Sequence, residues 1–198
     1  MPSAADPQIS AAILAGGEGR RVGGNDKGLL LLRGRPLVER VAAALRGQAG
    51  TILIVANRHA DEYARFGRVV ADEAVGFRGP LAGIASALKH CPTAWLLTAP
   101  VDAPDPPRDL AQRLLACAAA AGADAAVAHD GTRRQPLFAL YRSRLWQSAA
   151  AALAEDLPVY RWQERIAAAE ADFSDCAHAF ANLNTLHELR EWERHHAR

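Results

Sequence analysis

The sequence has few cysteines and no long apolar run. Cys91, Cys117 and Cys176 are odd in number, widely separated and without a C-x-x-C pair, which argues against a disulfide framework and a zinc site. No apolar run approaches the roughly 18 residues that a membrane helix needs, and residues 1–7 have neither a basic leader nor an apolar core. We therefore expect a cytoplasmic protein without a membrane partner.

Neither sign of charge dominates the sequence. The 23 basic and 22 acidic residues are intermixed and leave a formal net charge of +1. Because sequence-independent binding to nucleic acid depends on a basic surface, nucleic acid is not an expected partner. With 198 residues, half of them apolar, the chain is long enough for one well-buried domain and short for two. We expect a single domain over residues 1–198, and a monomer.

Several familiar active-site motifs are missing. Lys27 lies between Asp26 and Gly28, so no hydroxyl side chain follows the lysine as it does in a Walker-type loop. After Gly17-Glu-Gly19, residues 20–22 stand where a dinucleotide-binding loop needs its third glycine. There is no G-x-S-x-G motif and no histidine-centred constellation. Hydride transfer is therefore disfavoured, and no activated nucleophilic side chain is indicated.

A glycine-rich loop after an apolar strand is the most informative stretch that is present. Residues 9–14 form a mainly apolar run, and the five glycines at 16, 17, 19, 23 and 24 follow before Lys27. Glycines let successive backbone N–H groups form an anion-binding concavity, and Arg20, Arg21 and Lys27 add full positive charges. Fixed positive charge of this kind is what polyphosphate chemistry needs. The stretch predicts a nucleotide-polyphosphate loop.

Strands and helices alternate through about residue 102. Predicted strands at 51–56, 68–72 and 94–102 are separated by helical patterns that begin near Leu37 and at 79–88. Parallel strands need crossover connections, which are usually helices, so a doubly wound, mainly parallel sheet in an α/β/α arrangement is expected. Residues 123–129 and 136–141, around a tight turn, predict a small antiparallel portion.

The C-terminal third gives weaker patterns. Residues 145–153 suit a helix, and 159–169 are predicted as another helix whose boundaries are vague. Thr185 is a candidate N-cap for a last helix in which Leu186, Leu189 and Trp192 recur at helical spacing.

Four segments fall at the carboxyl ends of the predicted strands, where ligands bind in such sheets. They are residues 16–27, Asn57, Asp72 and Asp102. Asp102 is the first choice for a Mg²⁺ ligand because carboxylate oxygens suit hard cations, although an acid before a proline-rich break is also ordinary turn chemistry. Asp72 suits a hydrogen bond to a ribose or a base amine, or a loop-capping role. Lys27 and Arg21 would neutralise a triphosphate.

The loop resembles a known signature. The stretch resembles the L-A-G-G-x-x-x-R-M-G-x-D-K signature of nucleotidyltransferases at Leu14-Ala-Gly-Gly17, Arg21 and Asp26-Lys27. With Gly23-Gly24 and the residues after Lys27 included, it is similar to the MobA-type molybdenum cofactor guanylyltransferases. The similarity continues through residues 57–59, 79–83 and 182–185. It implies a Rossmann-like nucleotidyltransferase fold with a nucleotide-binding half at about 9–103 and a second-substrate half at about 104–198.

The resemblance also implies site residues. The implied catalytic residues are Arg21, Lys27 and Asp102, with Asp102 as the Mg²⁺ ligand. The implied nucleotide-binding residues are Leu14, Ala15, Gly16, Gly17, Lys27, Asn57, Asp72 and Asp102. The residues implied to lie near the pterin substrate are Gly83, Asn182 and Asn184.

Two positions depart from the family pattern. Val55 stands where related sequences can carry an asparagine, which removes a side-chain contact to the nucleotide, and Gln135 stands where a basic residue is more usual.

The implied reaction is attack by the terminal phosphate of molybdenum-molybdopterin on the α-phosphate of GTP, giving the guanine dinucleotide cofactor and pyrophosphate. An anionic phosphate nucleophile needs no strong general base. The implied partners are the two substrates, together with proteins that deliver molybdopterin or receive the product. The alternatives are a cytidylyl- or sugar-phosphate nucleotidyltransferase and a non-catalytic nucleotide-binding regulator, because phosphate-binding residues do not reveal the base.

Overall fold

The strands assemble into one large sheet and one small one. The structure is a computed structural model that describes residues 6–16, 26–71, 79–183 and 185–195. In chain order the strands are β1 (Asp6–Leu14), β2 (Leu31–Leu32), β3 (Arg35–Pro36), β4 (Ala49–Val55), β5 (Arg68–Val70), β6 (Trp95–Pro100), β7 (Ala125–His129), β8 (Arg134–Arg142) and β9 (Ala169–Asp172). Strands β2 and β3 form the two-stranded sheet, and the other seven form a sheet in the order β5-β4-β1-β6-β8-β7-β9.

The large sheet is mainly parallel, as the sequence predicted. Strands β5, β4, β1 and β6 pair in parallel, and β9 pairs in parallel with β7. Only β8 runs in the opposite direction, because it is antiparallel to both of its neighbours, β6 and β7. The predicted hairpin is therefore confirmed, and it forms the antiparallel portion of the sheet.

Helices cover both faces of the sheet. The helices are α1 (Leu37–Arg46), α2 (Ala60–Tyr63), α3 (Pro80–Lys89), α4 (Leu110–Ala121), α5 (Trp146–Ala154), α6 (Val159–Arg165) and α7 (Leu186–His195). Apolar side chains of α1 and α4 belong to one core cluster, and those of α3, α5 and α6 belong to a second. Ile13 faces the first cluster, whereas its neighbour Leu14 faces the second. A strand buried on both faces must be apolar at every position, which explains the continuous apolar runs.

A smaller core lies under the last helix. Leu189 of α7 and Leu183 pack against Leu32 and Leu37 near the two-stranded sheet. Thr185 caps α7 as predicted: the Glu188 backbone N–H donates to Thr185 Oγ1 at 3.1 Å, and the Thr185 N–H donates to Glu188 Oε2 at 2.9 Å. This reciprocal capping box fixes the first turn of α7.

The prediction of a helix over 159–169 is wrong at its C-terminal end. Helix α6 stops at Arg165, Ala167 adopts a left-handed φ of 50°, and Ala169 begins β9. The alanine-rich sequence has a high helix propensity, but pairing with β7 overrides it.

Membrane crossing is not indicated by the fold. Among the residues that the structure describes, no helix combines the length and the apolar character that spanning a bilayer requires.

Candidate functional site

Three parallel strands deliver their last residues to the same edge of the sheet. Leu14 of β1 is in register with Val55 of β4 on one side and with Pro100 of β6 on the other. Backbone hydrogen bonds extend this alignment beyond the strands, since the Ala15 N–H donates to the Val55 carbonyl at 3.0 Å and the Val101 N–H donates to the Leu14 carbonyl at 3.2 Å. The described ends of β1, β4 and β6 therefore lie side by side.

Lys27 and Asp102 meet at this edge. Lys27 Nζ donates to Asp102 Oδ2 at 2.7 Å, and the two side chains are 21% and 19% exposed. The glycine-loop lysine and the acid after β6 are 75 residues apart in the chain, so the contact brings the two halves of the predicted site together. The prediction that Asp102 lies within a side chain's reach of the Lys27 turn is confirmed.

One oxygen of Asp102 is left without a partner. Asp102 Oδ1 is buried and accepts no hydrogen bond from any residue that the structure describes. A buried, unpartnered carboxylate oxygen carries a large desolvation cost unless a cation or donor contacts it, which makes it a suitable ligand for a hard cation. No group of three or more His, Cys, Asp or Glu side chains within the described ranges could hold a metal ion.

The lysine is carried on a tightly held turn. Lys27–Leu29 forms one turn of 3₁₀ helix, and the Asp26 carboxylate caps it by accepting from the Gly28 N–H at 3.1 Å. The same Asp26 oxygen accepts the Tyr63 hydroxyl at 2.5 Å. Burial, and next the hydrogen bond to Asp26, raise the pKa of Tyr63, so the phenol keeps its proton.

Gly28 lies directly on Tyr63. A Cβ atom at Gly28 would lie 2.3 Å from the Tyr63 hydroxyl oxygen, closer than real Cβ contacts come, and 3.0 Å from Val101 Cγ2, which is also tight. Tyr63 was not among the predicted site residues. Tyr63 is the last residue of α2. No periodicity or local motif in the sequence links it to Asp26, which lies 37 residues earlier.

A cavity lies between the end of β6, strand β8 and Asn182. The Leu183 N–H donates to the Asp102 carbonyl at 2.8 Å, which places the neighbouring, exposed Asn182 next to the site. A cavity of about 340 Å³ opens there. Its wall includes Pro100, Arg133, Gln135, Pro136, Phe138 and Asn182.

Gly83 lies beneath the edge rather than in the cavity. It is buried in α3, and a Cβ atom there would lie 3.3 Å from Val55 Cγ1 and 3.6 Å from Leu14 Cδ2. The absence of a side chain thus lets α3 approach β1 and β4 closely. Its predicted contact with a pterin stays a prediction.

The remaining predicted residues divide into two groups. Gly16 and Asn57 are exposed at the strand ends, where the sequence placed them. Gly17, Arg21, Asp72 and Asn184 lie outside the described residues.

Comparison with known proteins gives the family. Residues 11–171 match the family model of the MobA-like NTP transferase domain. This chain belongs to that family. A molybdenum cofactor guanylyltransferase from Shewanella putrefaciens is 43% identical over 186 residues, which cover 93% of this chain and 95% of the relative. The resemblance predicted from the Leu14–Lys27 signature is confirmed, and the protein is a nucleotidyltransferase.

Solved structures of a MobA protein and of a nucleotidyltransferase from another group share the fold. Molybdopterin-guanine dinucleotide biosynthesis protein A from Archaeoglobus fulgidus superimposes with a TM-score of 0.76 at 23% identity, over 95% of this chain and 98% of that one. A 4-diphosphocytidyl-2C-methyl-D-erythritol synthase from Anaerococcus prevotii has a TM-score of 0.68 at 12% identity, over 97% of both chains. The MobA-like fold alone therefore does not select guanine over cytosine.

Proposed function

We propose that this MobA-like protein transfers GMP from GTP to the terminal phosphate of molybdenum-molybdopterin. An oxygen of the acceptor phosphate would form a bond to the α-phosphorus, while the bond from that phosphorus to the β-phosphate oxygen breaks and pyrophosphate leaves. The contact between Lys27 and Asp102 at the joined strand ends carries the proposal, because it puts a cation and a carboxylate where a triphosphate has to lie. The 43% identity to a guanylyltransferase over almost the whole chain supports the choice of guanine.

The charges of this pair would be redistributed when substrate binds. In the structure the Lys27 ammonium is held by Asp102. A triphosphate offers the ammonium a stronger anionic partner, and charge that develops on the leaving pyrophosphate would be stabilised by a group already in place. Arg21 is proposed to assist Lys27.

Asp102 is proposed to hold Mg²⁺ through the carboxylate whose Oδ1 is buried and unpartnered within the described part of the chain. When bound, Mg²⁺ would polarise the phosphate oxygens of the nucleotide and neutralise part of their charge. A single protein carboxylate suits this ion, which usually keeps several waters and takes phosphate oxygens as ligands.

The nucleotide is proposed to lie along the ends of β1, β4 and β5. The backbone at Leu14, Ala15, Gly16 and Gly17 would contact the nucleotide, and Gly16 has open space on its side-chain face. Asn57 and Asp72 are proposed to contact the ribose or the base. Because Val55 is buried against Gly83, its side chain does not reach this surface.

The acceptor is proposed to enter from the cavity that borders Asn182. The wall combines the Arg133 side chain with the amides of Gln135 and Asn182, and with apolar surface from Phe138. Such a lining suits a flat, polar heterocycle that carries anionic groups. Asn184 and Gly83 remain part of the proposed acceptor region.

Two alternatives are weighed against this proposal. A cytidylyl- or sugar-phosphate nucleotidyltransferase would use the same phosphate-binding residues, and only the similarity to guanylyltransferases argues against it. A non-catalytic nucleotide-binding regulator could bind phosphate through backbone donors alone. The paired Lys27 and Asp102 argue against the regulator, because simple binding does not need them.

The test is an assay of the purified protein with molybdenum-molybdopterin and a nucleotide. We expect pyrophosphate and the guanine dinucleotide cofactor to form from GTP with Mg²⁺, and both to disappear when Mg²⁺ is chelated. CTP and ATP serve as matched competitors. Faster turnover of CTP than of GTP would refute the choice of base. Tight GTP binding without any pyrophosphate release would favour the regulator.

A further inference from the structure

We propose that Tyr63 is a positioning residue for Lys27: its hydroxyl holds the Asp26–Gly28 turn and thereby fixes where the lysine ammonium lies. The effect of Tyr63 on catalysis rests on the proposed function, because that function makes Lys27 a catalytic group. The geometric part of the proposal concerns only the turn and can be tested without the reaction.

The tyrosine is anchored before it reaches the turn. Tyr63 ends the single-turn helix α2, is 0% exposed, and its ring lies in the core cluster that includes residues of α1 and β4. The ring therefore has little freedom. Its hydroxyl is the polar end of an otherwise apolar side chain, and it donates to Asp26 Oδ1 at 2.5 Å.

Asp26 passes this restraint to the backbone of the turn. The Asp26 oxygen that accepts the tyrosine hydroxyl also accepts the Gly28 N–H at 3.1 Å. One carboxylate oxygen thus joins the buried ring to the residue that follows Lys27. Because charge-assisted hydrogen bonds are among the stronger ones, the turn keeps a defined orientation.

Contact at Gly28 completes the restraint. The Gly28 Cα approaches so closely that a Cβ atom would lie 2.3 Å from the Tyr63 hydroxyl and 3.0 Å from Val101, the residue before Asp102. The turn is therefore held between the tyrosine and the segment that carries Asp102. Lys27 lies between the two restrained residues, and its Nζ is 2.7 Å from Asp102 Oδ2. Displacement of the turn would move the ammonium relative to the carboxylate.

The variant Tyr63→Phe removes only the hydroxyl and keeps the buried ring. We expect kcat to fall by about tenfold to a hundredfold, the scale of a misplaced reacting group, with a much smaller change in the KM for GTP. The matched control is Tyr141→Phe. Tyr141 is also 0% exposed, but its hydroxyl accepts from Gln163 Nε2 at 2.7 Å in the other helical layer. Both variants lose one buried hydroxyl, and only Tyr63→Phe should lower kcat.

A second readout does not need turnover. The sequence contains two lysines, Lys27 and Lys89, so ¹³Cε-labelled lysine gives two side-chain signals in an NMR spectrum. Tyr63→Phe should shift or broaden the Lys27 signal and leave the Lys89 signal unchanged, whereas Tyr141→Phe should change neither.

The outcomes separate the two proposals. An unchanged Lys27 signal in Tyr63→Phe overturns the positioning role, and so does an equal loss of kcat in Tyr141→Phe. A changed Lys27 signal together with no dinucleotide product from the parent protein supports the positioning role and refutes the proposed reaction.

Discussion

At the scale of single residues, the site contains an ion pair between a lysine and an aspartate. Lys27 and Asp102 are each about one-fifth exposed and 2.7 Å apart, so the ammonium and one carboxylate oxygen satisfy each other in the absence of substrate. Preorganised charges need little rearrangement when a phosphate arrives. Removing either member takes a 2.7 Å charged contact from the other at a partly buried position.

Lys27→Ala and Asp102→Ala should each lower the rate of pyrophosphate release by at least several hundredfold, on the order of losing one preorganised charge. Lys89→Ala is the matched control for the lysine, because Lys89 ends α3 at the opposite edge of the sheet. Asp105→Asn is the control for the acid, since Asp105 pairs with Arg40 on the surface. Release at the parental rate by Lys27→Ala would contradict the mechanism.

The sequence predicted the charged residues of the site but not their support. Lys27 was predictable because it closes a glycine loop that follows an apolar strand. Asp102 was predictable because it comes at the end of another apolar strand. Tyr63 gave no local signal, since its role depends on a contact across 37 residues. Arg133 became a candidate only when the hairpin placed it in the wall beside Asn182, whereas Gln135 was already noted as a departure from the family pattern.

At the scale of elements, one glutamine joins two helices and a loop. Gln48 follows α1 and is 8% exposed. Its Nε2 donates to the Pro107 carbonyl at 2.9 Å, and its Oε1 accepts the Ala111 N–H at 2.9 Å at the start of α4. The side chain thus satisfies the Ala111 N–H in the first turn of α4, and it shares the Pro107 carbonyl with the Leu110 N–H. It also fixes the loop after Asp102 against α1.

Gln48→Leu should lower the free energy of unfolding by about 1–3 kcal/mol, because it leaves the buried Ala111 N–H without the Gln48 Oε1 acceptor. Urea denaturation measures the loss. Gln147→Leu is the matched control: Gln147 is exposed on α5, and its replacement should change stability by less than about 0.5 kcal/mol. Equal midpoints for the two variants would contradict the role of Gln48.

The elements themselves were largely predictable. The apolar strands β1, β4 and β6 and helices α1 and α3 follow from apolar patterns in the sequence, and the hairpin follows from its turn at Asp130-Gly131. Strand β9 was missed because residues 169–172 alternate over only four positions within an alanine-rich stretch. Long-range pairing with β7, which no local pattern encodes, decides its conformation.

At the scale of the whole molecule, two buried phenols link stability to pH. Burial is the main cause that raises the pKa of both Tyr63 and Tyr141 above the ordinary value of 10.0. Above pH 10.0 the unfolded chain loses these protons while the native protein keeps them. Raising the pH therefore favours the unfolded state, and the stability that is fully present below the unfolded pKa declines above it.

We expect the free energy of unfolding to fall by about 1.4 kcal/mol per pH unit for each of these two tyrosines above pH 10. Denaturant titrations at successive pH values measure the slope, and absorbance near the tyrosinate band reports when the phenols ionise. Tyr141→Phe should remove one of the two contributions. Tyr160, which is 45% exposed, is replaced by phenylalanine so that the signal reports the two buried phenols, and tyrosinate absorbance that appears in Tyr160→Phe before unfolding would contradict the prediction.

The two borders of the large sheet also have a consequence for the molecule in solution. Strand β5 has three residues and begins with the exposed Arg68, while β9 has four residues that include the exposed Glu170 and Asp172. These short edge strands offer few unpaired backbone amides to another chain, and their charged side chains disfavour the addition of a further strand. Pairing of two copies of the protein through these edge strands is therefore unfavourable. Concentrated or refolding samples should resist fibrillar aggregation through them.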